Sequence, residues 1–198
     1  MKIVALSDTH FTNEDLWKLK VPEGDVLIHA GDATFAGKPS EWEPFIRWWK
    51  SHPHVEKRFL PGNHDFNWPF PKWDVHEYMG YNFGMMPLVP NLIKWANYGT
   101  EEEIRAALKE IGKVDVLITH SPPQGILDMG HSHFGSYALR NFIDSPYAPS
   151  ILICGHIHEC HGYMKYKKTH CYNVAICDRN YNLTQPCTEI ELEEVLSL

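Results

Sequence analysis

The chain has 198 residues, 43% hydrophobic and 22% charged, a size and balance that suit one globular domain over residues 1–198 with enough core to fold without disulfides. The net charge of −7 argues against a stable grip on duplex nucleic acid, which calls for a basic stripe; the one basic cluster, Lys165, Lys167 and Lys168, reads as a solvated hairpin. No apolar run approaches the ~20 residues of a bilayer span, and Met1–Leu6 lacks a signal-peptide core, so a cytoplasmic protein without membrane contact is expected.

The first strand is read at Lys2 to Leu6, a short apolar run of the kind buried in an α/β sheet, and Ser7-Asp8-Thr9-His10 follows at its end. Asn13 is placed as the cap of a short helix through Lys20. Asp25 to Ala30 gives the second strand, ending in Gly31-Asp32. Ser40-Glu41-Trp42-Glu43 has a capping-box pattern, and the helix it opens runs to about Lys50 with Trp42, Phe45, Ile46 and Trp49 on one face. Val55 to Leu60 is the third strand, stopped by a Pro61-Gly62 turn that throws out Asn63, His64 and Asp65.

Residues 66–98 have no sustained period. A short strand is expected near Tyr78–Phe83, and Trp68, Phe70, Trp73, Phe83 and Trp95 read equally as core or as a wall over a site. Thr100 caps a helix closed by Gly112. Val114–Ile118 is a strand ending in Thr119-His120, Phe134–Phe142 a helix, and Ser150–Cys154 a strand ending in Gly155-His156-Ile157-His158. The tail reads as all-β, with a hairpin from Tyr163–Tyr166 to His170–Ala175 and a last strand at Thr188–Leu192. The five cysteines are odd in number and form no CxxC pair, the pattern of reduced structural thiols.

Histidine, at 13 residues, is the unusual count. Five strand ends carry ligand-type side chains: Asp8 and His10; Asp32; Asn63 and His64; His120; His156 and His158. Open α/β sheets gather ligands beyond the carboxyl ends of their strands. Asp8-x-His10 and His156-x-His158 share a spacing of two, so in extended backbone each pair points one way. The set is too large for one tetrahedral zinc and suits two divalent cations about 3.5–4 Å apart with a shared carboxylate. Imidazole with carboxylate and amide oxygen fits Mn, the first choice, or Fe, Zn, Co or Ni, rather than calcium.

The series Asp8-x-His10, Gly31-Asp32, Gly62-Asn63-His64-Asp65, Thr119-His120 and Gly155-His156-Ile157-His158 resembles the calcineurin-like metallophosphoesterases over roughly residues 1–160. The stretch Thr119 to Asp128, the Gly-His-Ile-His-Glu ending and Asn173-Val174 look most like its compact metallophosphoesterase-domain phosphodiesterase branch. The resemblance implies a four-layer α/β/β/α fold, two packed mixed β-sheets flanked by helices. It implies that Asp8, His10 and His158 hold one metal, that Asp32 bridges, and that Asn63, His120 and His156 hold the other. It further implies that His64 stays off the metals and acts as general acid, while a bridging hydroxide attacks phosphorus. The role of Asp65 is open between its own loop and support of the ligands.

The expected function is hydrolysis of a small, nucleotide-like phosphodiester. A phosphomonoesterase or protein phosphatase would use the same metal site, and a non-catalytic scaffold is disfavoured because every ligand position is filled. The sequence leaves the oligomeric state open. His29 is expected to be buried and hydrogen-bonded, and His52, His54 and His76 to lie at the surface or in loops. One of His131, His133, His161 and His170 is a candidate to touch substrate. Arg140 reads as a surface helix arginine rather than a phosphate contact.

Overall fold

The structure, a computed structural model, describes residues 1–10, 16–68 and 74–197. Its first sheet holds β1 (Lys2–Leu6), β2 (Val26–His29), β3 (Glu56–Phe59) and β10 (Thr188–Glu191), in the order β10-β1-β2-β3. The β1–β2 and β2–β3 pairs are parallel, and β10 runs antiparallel to β1. The second sheet is β4 (Asp74–Tyr78), β5 (Tyr81–Met86), β6 (Val116–Thr119), β7 (Ile151–Cys154), β9 (Thr169–Asn173) and β8 (Gly162–Tyr166), in that spatial order. Strands β5, β6, β7 and β9 are parallel, and β4 and β8 close the edges antiparallel.

Alternation along the strands sorts side chains into layers. Ile3, Ala5, Val26 and Ile28 of the first sheet meet Phe83, Val116, Ile118, Ile151 and Ile153 of the second in one core. The opposite parity, Val4, Leu6 and Leu27, faces Trp42, Phe45 and Trp48 of helix α1 (Pro39–Ser51). Leu117 and Leu152 face helices α2 (Glu101–Ile111) and α3 (Tyr137–Ile143) through Ile104, Leu108 and Leu139. Strands buried on both faces read as continuous apolar runs, which is why VLIH, VLIT and ILIC stand out in the sequence.

The helix boundaries refine the sequence reading. Ser40 does not cap α1. The cap is Lys38, followed by Pro39 in the first helical position, and Glu41 Oε2 accepts the Lys38 N–H at 3.1 Å. The buried face is carried by Trp42, Phe45 and Trp48, with Ile46 and Trp49 at its margin. Thr100 accepts the Glu103 N–H and Glu103 returns a bond to Thr100, the reciprocal cap expected. Asn13 lies outside the described residues, and Leu16–Lys18 forms a single 3-10 turn. Helix α3 begins three residues later than expected, where Ser136 caps it. The tail is not all-β: the short helix α4 (Leu192–Leu196) packs Leu192 and Val195 against the inter-sheet core.

The two sheets are joined beyond the carboxyl ends of β1 and β9. Ser7 donates to Val174 O at 2.9 Å and accepts the Ile176 N–H at 3.1 Å, so the end of β1 continues into the chain beyond β9. That seam is where β1, β2, β3, β6 and β7 all end.

Candidate metal centre

Every ligand-type residue read from the sequence lies at this seam. Asp8, His10 and His158 bring ligand atoms within 4.8 Å of one another, and so do Asp32, His120 and His156. A third group, His10, Asp32 and His64, meets the same limit, so Asp32 and His10 join the clusters. His120 Nε2 stands 3.2 Å from Asp32 Oδ2 and 3.2 Å from Asn63 Oδ1. His158 Nε2 stands 3.4 Å from Asp8 Oδ1 and 3.2 Å from His10 Nε2.

The local backbone is bent to achieve this. Asp8, His10, Asp32 and His156 adopt positive φ of 56°, 43°, 57° and 71°. Left-handed backbone at four non-glycine residues in one place is strain held by its surroundings, as at functional sites. The glycines of the motifs answer a different need. A Cβ on Gly62 would lie 2.2 Å from Asp32 Oδ1, and one on Gly155 would lie 2.4 Å from Asp8 Oδ2.

Backbone carbonyls set the imidazoles. His120 Nδ1 donates to Ala30 O at 2.8 Å and His158 Nδ1 to Asp178 O at 2.9 Å, leaving each Nε2 aimed at the cluster. Buried carboxylates then govern the protons. Burial works against charge on His120 and His158, but Asp32 and Asp8 respectively raise each to about 9. Burial lowers His10 and His156 to about 4. Burial opposes charge on Asp8 and Asp32 as well, yet the facing imidazoles hold both below the usual carboxylate range. Proton-bearing imidazoles between carboxylates mark where positive charge is wanted. Converging nitrogen and oxygen lone pairs 3.2–3.4 Å apart, in a buried pocket, fit divalent cations of the borderline type.

His64 is held differently from the other residues of these groups. Its Nδ1 donates to Phe35 O at 2.8 Å, and its ring packs against Trp95 at 4.5 Å and edge-on against His10 at 4.7 Å. Its neighbour Asp65 is buried and accepts from Gly62 N, Ala33 N, Thr34 N and Thr34 Oγ1 at 2.8–3.1 Å. It ties the loop after β2 to the loop after β3. Burial and the Asp32 charge push its pKa up to about 7, against the pull of those donors.

A family model for calcineurin-like phosphoesterases matches residues 1–160. The chain belongs to that family. It is 29% identical, over 236 aligned positions, to the human metallophosphoesterase domain-containing protein 1, covering 96% of this chain and 71% of the relative. Among solved structures, a Thermus thermophilus protein superposes with a TM-score of 0.67 at 13% identity, covering 98% of this chain and 95% of that one. The phosphopantetheinyl hydrolase of Mycobacterium tuberculosis gives 0.59 at 14% identity, covering 91% and 90%. These likenesses support the fold.

In this phosphoesterase His10, Asp32, Asn63, His64, His156 and His158 floor a cleft of about 280 Å³ whose walls include His131, Phe134, Arg179 and Tyr181. Trp95 borders it through the His64 ring, held because Ala96 N donates to Asn63 O at 3.0 Å and Asn97 Nδ2 to Gly62 O at 2.7 Å. Of the other aromatics read as core or wall, Phe83 is inter-sheet core and Trp68 stacks on Trp42; Phe70 and Trp73 lie outside the described residues. Of the four histidines near the motifs, His131 lines the cleft. His133 pairs with Asp128, His161 with Ala175 O and His170 with Tyr163. Arg140 is engaged by Gln124 O, Tyr166 and Asp144, away from the cleft. His29 is buried, as expected, with Gly31 N donating to its Nδ1 and Thr9 Oγ1 3.1 Å from its Nε2. His54 lies in the loop between α1 and β3, as expected, and is buried there at 7% exposure. The sequence reading missed the segment 178–182. Its signal was Asp178-x-Asn180-x-Asn182, a turn pattern shortly after β9.

Proposed function

We propose that this protein is a two-metal phosphodiesterase acting on a small, nucleotide-like substrate. The observation that carries the reading is the coincidence of two buried acid–imidazole clusters sharing one rim with a histidine whose Nδ1 is already committed. Asp8, His10 and His158 would hold one cation, Asn63, His120 and His156 the other, and Asp32 would serve both. Manganese is the first choice. Divalent cations bound there would supply Lewis acidity at the phosphate oxygens and a water acidic enough to attack phosphorus near neutral pH.

The chain's own residues do the rest. Phe35 O fixes His64 Nδ1, so Nε2 faces the cleft and can pass its proton to the departing alkoxide. Asp65 holds the two loops on which Asp32 and Asn63 are carried. Tyr181, 4.8 Å from His10 and 5.4 Å from His158, and Phe134 give the cleft aromatic walls suited to a flat leaving group. Five free thiols support a reducing, cytoplasmic setting, and no described helix is long and apolar enough to cross a membrane. The acidic balance disfavours duplex nucleic acid as a partner.

The test is hydrolysis by manganese-loaded protein of bis-p-nitrophenyl phosphate against p-nitrophenyl phosphate and 2′,3′- and 3′,5′-cyclic nucleotides. Diester turnover is expected to exceed monoester turnover. His64→Ala should lower kcat about 100-fold or more on an alkyl leaving group and much less on p-nitrophenolate, which needs no proton. Equal loss on both removes the general-acid role, and inactivity on every substrate with metal bound removes the enzyme.

A further inference from the structure

Arg179 lies on the rim of the metal cleft with no hydrogen bond, ion pair or ring contact among the described residues. Arg140, by contrast, has three partners. Glu159, on the same rim, forms no ion pair with it. The backbone that presents Arg179 is fixed on both sides. Asp178 O accepts from ligand His158, and Asp178 Oδ1 accepts from Asn180 N at 2.8 Å and Asn182 N at 3.0 Å. Tyr181, with φ of 63°, turns back onto His10 and His158. The turn that orients a ligand therefore also places a permanent cation at the mouth.

Arg179 is exposed on this rim, and among the described residues its guanidinium is paired with no carboxylate, so it is open to an anion that enters the cleft. A guanidinium recognises oxyanions through its forked N–H groups.

We propose that Arg179 binds a second oxyanion carried by the substrate beside the scissile diester, and so selects diesters with an additional phosphate or carboxylate over plain ones. This rests on the two-metal diesterase reading. His131, on the same wall, is placed to border that second group.

The experiment compares two ligand pairs on manganese-loaded protein. The first is thymidine 5′-(p-nitrophenyl phosphate) with and without a 3′-phosphate, scored by kcat/KM. The second is thymidine 3′,5′-bisphosphate against thymidine 5′-phosphate, scored by calorimetric binding. Wild type should prefer the 3′-phosphorylated member of each pair, mainly in KM. Arg179→Gln should reduce that preference about tenfold, and Arg179→Lys should restore part of it. A 3′-carboxymethyl diester separates a phosphate from a carboxylate requirement. No preference in wild type overturns the proposal, as does a preference that survives Arg179→Gln. The binding arm stands without turnover, so loss of hydrolysis on both diesters would sink the diesterase reading and leave the arginine independently tested.

Discussion

Replacing Gly155 by alanine puts one methyl group against Asp8, a fully buried candidate ligand of the site. The new Cβ would lie 2.1 Å from Ser7 Oγ and 2.4 Å from Asp8 Oδ2, where ordinary contact begins at 3.4 Å. Something must move by an ångström or more, and neither neighbour is free to. Ser7 and Asp8 are fully buried, and their backbones are bonded to Val174, Ile176 and Gly31. Overpacking of this kind costs about 1–3 kcal/mol, which for a chain of this size lowers the thermal midpoint by roughly 6 °C. Metal ligation tolerates displacement of only about 0.2 Å, so the expected loss of metal affinity is larger than the loss of stability, at least ~100-fold. The control is Gly80→Ala. Gly80 has φ of 83° but nothing within 4 Å of a new Cβ, so it should cost about 1 kcal/mol of backbone strain and leave metal binding intact. The assays are calorimetric unfolding and manganese titration of both variants. A Gly155→Ala protein that binds two metals with wild-type affinity refutes the assignment of Asp8 as a ligand held from behind by this glycine.

Metal binding should release protons. His120 and His158, each raised to about 9 by facing carboxylates, carry protons at pH 7 that a cation must displace. Titration in buffers of different ionisation enthalpy should show nearly two protons released at pH 7, falling towards none above pH 9; no release at pH 7 contradicts the ligand set. Asp65→Ala strands the buried donors of Gly62, Ala33 and Thr34, and urea unfolding should record a loss of about 3–5 kcal/mol. A loss under 1 kcal/mol would mean that the two loops are held by other contacts. His29 is pushed down to about 3 by burial, so it folds neutral. The unfolded chain takes up a proton near pH 6.5, hence its contribution is complete above that pH and drains away as pH falls towards 3. Wild type should lose stability through this window more steeply than His29→Gln, by up to a few kcal/mol.

Four of the five loops were readable because β1, β2, β6 and β7 are buried on both faces, so that an apolar run ends abruptly in Asp or His, or in Gly and then Asp or His; β3, EKRF, is only half-buried, and its loop is announced by Pro61-Gly62 instead. The parts that escaped lack that contrast. Strand β4 is exposed along nearly its whole length, and its sequence, DVHEY, shows no alternation for a core to impose. Ser40 resembled a cap by composition, but Pro39 has no N–H to lose and a fixed φ, and so starts the helix before it. Arg179 and Tyr181 reach the cleft only because Asp178 folds the chain back towards His158, a contact between residues twenty apart that no local pattern announces. Trp95 likewise depends on hydrogen bonds from its loop to Gly62 and Asn63.

The seam between the sheets separates two kinds of inheritance. The ligand-type residues sit on the loops that leave β1, β2, β3, β6 and β7, four of them with left-handed backbone and glycines packed against carboxylates. Such loops admit almost no change in length. Trp95 comes from the segment after β5, and Arg179 and Tyr181 from the segment after β9, which supply walls and charge and no metal ligand. Lengthening or re-lettering those two segments would alter which ester is accepted while the reactive centre stays as built. A panel of chimaeras exchanging only residues 87–98 or 177–186 should therefore change substrate rank order with metal content constant.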